Sequence, residues 1–150
     1  MGTGIGLKCP KCSFHKQYYL GSGMLLPETY AKVIDGINEY EYGSEWYDYF
    51  KTHTGAAVDV NKEIYHCRLC NAIVEEYNLD LYNRKDGSPP DYGYFTSWTG
   101  TKEYDFVKHY AHRCPICDGR MRKIRRSDLK SLPCPRCGTT LISSDDFIWD

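Results

Sequence analysis

Eight cysteines occur in the chain, and all of them fall in Cys-x-x-Cys pairs: Cys9/Cys12, Cys67/Cys70, Cys114/Cys117 and Cys134/Cys137. Two sulfurs on one tight turn can grip a metal ion from one side. Two such turns supply the four thiolates that a structural Zn²⁺ takes up as a tetrahedron. Eight thiolates therefore predict two zinc ions per chain. The competing chemistry is a disulfide framework. The chain opens MGTGIGLKCP, without the apolar run of a secretory signal, and no transmembrane stretch follows. A reducing cytoplasm is thus the expected location, and paired thiols there bind metal more often than they bridge.

The residues around the pairs fit metal-binding turns. Such turns commonly pass through positive φ, which Gly, Asn and Asp tolerate best, and the residues following the pairs are Ser13, Asn71, Asp118-Gly119 and Gly138. Pro10, Pro115 and Pro135 pre-set φ just after the first cysteine of three pairs. Four pairs can be matched in three ways. Chain order favours Cys9/Cys12 with Cys67/Cys70 and Cys114/Cys117 with Cys134/Cys137, with an interleaved cross-brace as the main rival. The 16-residue gap between the last two pairs suits a hairpin excursion, whereas the 54-residue gap between the first two demands a folded insert or a different pairing.

The segments CPKC at 9–12, CRLC at 67–70, CPIC at 114–117 and CPRCG at 134–138 resemble the knuckles of zinc-ribbon and rubredoxin-like proteins. The stretches GSEWYDYF, GAAVDV and IYHCRLC are similar to small uncharacterised bacterial zinc-ribbon proteins. The first resemblance implies hairpin-borne knuckles clamping one metal between them; the second implies no activity. CPRCG also resembles half of a rubredoxin iron site, so iron carrying single electrons is the alternative metal chemistry.

The elements that must position these turns are partly readable. Residues 5–20 read as a hairpin around the first pair, with Ile5, Leu7, Phe14, Tyr18, Tyr19 and Leu20 apolar. From Pro27, Tyr30, Val33, Ile34 and Ile37 follow helical spacing, and a second helix is expected after Ser44 as N-cap, carrying Trp46, Tyr49 and Phe50. Both helices are expected to pack on the first ribbon. Residues 72–82 read as one strand whose alternation Glu75 spoils, 104–110 as a strand or short helix, and 140–143 as a final strand. A Gly/Ser/Pro/Asp cluster at 86–93 places a boundary near residue 90. The predicted fold is α+β: a zinc ribbon with a helical insertion over 1–90 and a second zinc ribbon over 91–150, both with short antiparallel strands.

The formal net charge of −1 hides an asymmetry: residues 102–136 carry ten Lys or Arg against four acids. Arg120, Arg122, Lys123, Arg125, Arg126 and Lys130 form a candidate nucleic-acid surface, where cations would track phosphates. Cations are also expected near a tetrathiolate zinc site, whose formal charge is about −2, and Lys8, Lys11, Arg68, Arg113 and Arg136 are placed to compensate it. Four thiolates close the zinc shell and leave no position for water, which argues against hydrolysis. His66 and His112 lie beside cysteine pairs, yet eight cysteines already fill two sites. The expected function is a non-enzymatic binding module. Its partner is expected to be a protein, contacted through aromatics such as Trp98 or Trp149, with nucleic acid as the alternative and no membrane association.

Overall fold

A computed structural model describes residues 2–23, 26–90, 102–144 and 146–149. It is a mixed α/β structure with small, mostly antiparallel sheets and two α-helices among the described residues. The chain divides into two compact units. One comprises Met1–Gly23, Lys62–Glu76 and Ala111–Asp150, the other Met24–Asn61 and Tyr77–Tyr110. Residue 90, where the composition suggested a boundary, lies inside the second unit. No described helix is long and apolar enough to cross a membrane.

The first unit contains all eight cysteines. Strand β1 (Gly2–Lys8) pairs antiparallel with β2 (His15–Leu20), Lys8 facing His15 across the first Cys-x-x-Cys turn. On its other edge β1 takes β9 (Ile142–Ser143) and β10 (Phe147–Trp149), both antiparallel. The alternate glycines of β1 make this possible. A Cβ on Gly4 would stand 2.1 Å from the Phe147 ring, and one on Gly2 2.3 Å from Trp149, so bare backbone lets the two rings lie directly on the strand. A second sheet has the order β5-β4-β8, from β4 (Lys62–Cys67), β5 (Ile73–Tyr77) and β8 (Met121–Lys123). A one-turn-and-more 3₁₀ segment (Arg126–Ser131) buries Leu129. The core gathers Ile5, Leu7, Tyr18, Ile64, Ile73, Ile124, Leu132 and Leu141 around Cys9 and Cys134.

Glu75, the residue that breaks the alternation of β5, has its own partners. Its carboxylate accepts the Lys62 ammonium at 2.9 Å and the backbone N–H of Tyr19. The expected single strand over 72–82 is in fact two, β5 and β6 (Leu81–Arg84), separated by three irregular residues in which Leu79 has φ 63°.

The second unit holds α1 (Leu26–Asn38), α2 (Ser44–Thr52) and a sheet of order β3-β6-β7, with β3 (Ala56–Val58) and β7 (Tyr104–Lys108). The helical spacing holds: Tyr30, Val33 and Ile37 are buried, with Ile34 beside them. Ser44 is the first residue of α2 and not its cap, since Gly43 at φ 91° occupies that position and makes no side-chain cap bond. The expectation that both helices pack on the first ribbon is corrected here. They build a core of their own with Ala57, Val58, Val60, Leu79, Leu81 and Tyr104, and Trp46 anchors α2 by donating its indole N–H to Leu79 O at 2.9 Å. An aromatic face needs an apolar partner surface, and the β3-β6 sheet supplies one inside the insert.

Candidate metal centres

The eight sulfurs form two groups of four, each with all ligand atoms within 4.8 Å of one another: Cys9, Cys12, Cys134 and Cys137, and Cys67, Cys70, Cys114 and Cys117. The pairing is nested. The first and last pairs make an outer group and the middle pairs an inner one, so neither the sequential match favoured by chain order nor the interleaved rival is correct. The reason lies in the strands. β9, which follows the last pair, returns to β1, with Lys8 opposite Ile142 and Leu7 opposite Ser143. β8, which follows the third pair, returns to β4, with Cys67 opposite Met121. Strand pairing over long separations overrides the proximity of pairs along the chain.

The two groups are built alike. In each, a strand (β1 or β4) enters the first turn, a neighbouring strand (β2 or β5) leaves it, and the strand after the second turn (β9 or β8) lies antiparallel to the entering one. The contacts repeat too. Cys9 and Cys137 sulfurs are 3.4 Å apart and Cys12 and Cys134 3.5 Å, matched by 3.4 Å for Cys67 and Cys117 and 3.5 Å for Cys70 and Cys114. All eight cysteines are free, and these separations are far beyond the about 2.05 Å of a disulfide. Sulfurs bound at about 2.3 Å around one zinc would stand about 3.8 Å apart, and each group, with its four sulfurs within 4.8 Å of one another, is compact enough to close on one such ion.

The local backbone serves the sulfurs. Cys9 Sγ accepts the N–H groups of Lys11 at 3.4 Å and Cys12 at 3.3 Å; Cys114 and Cys134 accept those of Ile116 and Arg136, each at 3.4 Å. The turns close through Asn71 N–H to Cys67 O, Asp118 N–H to Cys114 O and Gly138 N–H to Cys134 O, each 2.9 Å. Asn71, Asp118 and Gly138 have φ of 61°, 60° and 78°, the left-handed region expected after a pair, whereas Ser13 is not among the positive-φ residues. Gly119 lies close against the inner sulfurs. A Cβ there would meet the sulfurs of Cys117 and Cys67 at 3.2 and 3.3 Å, and Leu69 Cδ1 at 2.7 Å, the free end of an exposed side chain that can swing aside. Gly119→Ala is therefore expected to weaken metal binding at the inner group alone, by about 1 kcal/mol through crowding of the two sulfurs, measured by competition with a chromophoric chelator.

Four crowded thiols cannot all ionise without a cation among them. The Thr139 hydroxyl and N–H bring Cys137 down to about 6. Cys12, although the Phe14 N–H favours its thiolate, is pushed up to about 12 by burial and by the sulfur of Cys134. At the inner group the Cys70 N–H, working against burial, brings Cys67 down to about 7. Cys117, despite the Gly119 N–H, is pushed up to about 12 by the Cys67 sulfur. One divalent ion at each centre would remove this conflict.

His66 and His112 are buried but belong to neither group. His112 lies against the Tyr65 ring with centroids 3.9 Å apart, and His66 Nε2 has no hydrogen-bond partner. The six cations Arg120, Arg122, Lys123, Arg125, Arg126 and Lys130 are all exposed; Lys123 pairs with Glu63 at 3.9 Å and Arg126 with Asp146 at 3.2 Å. They lie between turns of different metal groups and not in one ribbon. Of the cations placed to offset the sites, Arg136 donates to Ser13 Oγ and Arg113 to Asp118 O, so these two are held locally. Trp98, expected to contact a partner, lies outside the described residues.

The division into units also separates charge. The cysteine-bearing unit holds 13 Lys or Arg against 8 acids, a formal +5, and the helical unit 6 against 12, a formal −6. Two features escaped the sequence reading. One is the nested pairing, for which a signal existed: the outer turns CPKC and CPRC share a basic third residue, the inner turns CRLC and CPIC an apolar one. The other is Thr139, which stands 3.3 Å from Cys137 Sγ and follows the pair by only two residues. Comparison of the chain with protein-family models, curated proteins and solved structures yields no significant match.

Proposed function

We propose that this chain is a non-enzymatic binding module scaffolded by two zinc ions in duplicated three-stranded ribbons. The observation that carries the reading is the pair of like-built tetrathiolate groups. All four ligand positions of each group are sulfur, the N–H groups of the turns are spent on those sulfurs, and among the described residues no histidine or carboxylate joins either group. A shell closed by four thiolates leaves no site for a reacting water, so the zinc would act through folding. Free thiols in this number fit a reducing, cytoplasmic setting. The partner is a protein, met by exposed apolar side chains such as Leu69, Ile116 and Ile148, each more than two-thirds exposed.

Metal analysis of protein purified without added metal should give two zincs per chain and a colourless sample. Visible absorbance with iron at the sites would replace this reading by electron transfer. Nucleic acid is a second reading, supported by the +5 of the metal-bearing unit and the exposure of its cations. The metals lower that charge, because eight thiolates and two zincs contribute about −4 together. Under the second reading, Arg122, Arg125 and Arg126 neutralised together should reduce oligonucleotide affinity and flatten its salt dependence by about three counterions.

A further inference from the structure

The two metal centres differ in one respect that their shared architecture does not require. The third residue of each turn is a cation at the outer centre, Lys11 and Arg136, and a large apolar side chain at the inner one, Leu69 and Ile116. Leu69 is 78 % exposed and Ile116 74 %. The outer centre is an internal control: the same sulfur geometry is reached with Lys and Arg at these positions, so the metal does not demand Leu or Ile there. Around the inner tips stand Arg68, Arg113, Arg120 and Arg122, all exposed, with no carboxylate within ion-pair distance among the described residues. Arg113 and Arg120 even face each other across a β-bridge, an arrangement of like charges that destabilises a strand pair. The thiolate centre offsets part of this charge, but the outer centre carries the same thiolates; each centre has one arginine held locally, Arg136 by Ser13 Oγ at 3.3 Å and Arg113 by Asp118 O at 3.4 Å, and the inner centre has Arg68, Arg120 and Arg122 besides.

Resting on the protein-binding module reading, we infer that the inner metal centre is a docking tip for an acidic protein segment, whose apolar side chains cover Leu69 and Ile116 while its carboxylates meet the arginines around them. A segment of this chemistry satisfies both halves of the surface. A phosphate backbone would use the arginines and leave the two apolar side chains in water.

The test transplants the outer tips onto the inner centre in the full, zinc-loaded chain: Leu69→Lys with Ile116→Arg. The probes are a fluorescent peptide of alternating Asp and Glu carrying a Leu and a Phe one helical turn apart, the same peptide with Ser at both apolar positions, and a single-stranded oligothymidylate. The expected result is that the apolar-acidic peptide binds the wild-type chain at least about tenfold more tightly than its Ser counterpart, and that the double variant loses at least about tenfold for it. An exposed ion pair returns far less than the burial of a Leu or Ile side chain, so the added cations do not compensate. Equal binding of the two peptides, no binding of either, or an oligothymidylate that binds the wild-type chain more tightly than the apolar-acidic peptide does would overturn the inference. The peptide comparison on the wild-type chain stands whether or not the variant folds. Two zincs per chain with no peptide discrimination would sink the docking tip alone; a different metal count would sink the module reading itself.

Discussion

Removing both metals with a strong chelator is expected to unfold the cysteine-bearing unit while the helical signal in far-ultraviolet circular dichroism largely survives. Every described α-helical residue, in Leu26–Asn38 and Ser44–Thr52, belongs to the other unit, whose core contains no cysteine. In the cysteine-bearing unit Cys9 and Cys134 are part of the main apolar cluster, and Cys67 and Cys114 of a smaller one with Tyr65, Ala72 and Met121. Eight thiols left without ions would place these buried sulfurs and their four more exposed partners in the electrostatic conflict that a cation relieves. Structural zinc contributes about 10–16 kcal/mol of apparent binding free energy, as much as or more than the about 5–15 kcal/mol that separates a folded domain from its unfolded chain. Loss of aromatic near-ultraviolet signal from Tyr18 and Trp149, with helicity retained, is the expected pair of observations. A simultaneous collapse of both signals would mean that the helical unit depends on the metals, contrary to its separate core.

How much of this was legible in sequence depends on the range of the interactions concerned. The cysteine turns were readable because their chemistry is local: a pair of thiols, a proline and a residue tolerant of positive φ lie within about one turn of chain. The first helix was readable for the same reason, since Tyr30, Val33 and Ile37 repeat at helical spacing. The surface that receives this helix was not, because β3 and β6 come from segments on either side of β4 and β5 and nothing local marks them as its partners. Strand β1 shows the limit most clearly. Gly2 and Gly4 have weak strand propensity, and their purpose appears only when Trp149 and Phe147 arrive from a segment more than a hundred residues later to lie on them. The metal pairing failed for that reason as well. It is decided by which strand β9 and β8 rejoin, and local spacing carries no information about that choice.

The nested pairing makes a prediction that no other pairing shares. Cys9→Ser combined with Cys137→Ser removes two ligands from one centre and is expected to leave one zinc per chain; Cys9→Ser combined with Cys67→Ser removes one ligand from each centre and is expected to leave none firmly held. Under sequential pairing the outcomes reverse, because Cys9 and Cys67 would then share a metal and Cys9 and Cys137 would not. Interleaved pairing would leave neither variant with an intact set of four. Stoichiometry is the right readout, since loss of one thiolate changes affinity by several orders of magnitude while serine preserves the size of the turn. The stability effect should also be uneven. The outer centre ties β1 and β2 to a turn more than a hundred residues later, where Cys134 sits in the main core with Ile5, Leu7 and Leu141. Its loss should release β9 and β10 and expose Phe147 and Trp149, seen as a red shift in tryptophan fluorescence. Loss of the inner centre through Cys70→Ser with Cys114→Ser should spare that packing, because β8 pairs with β4 and neither β9 nor β10 does.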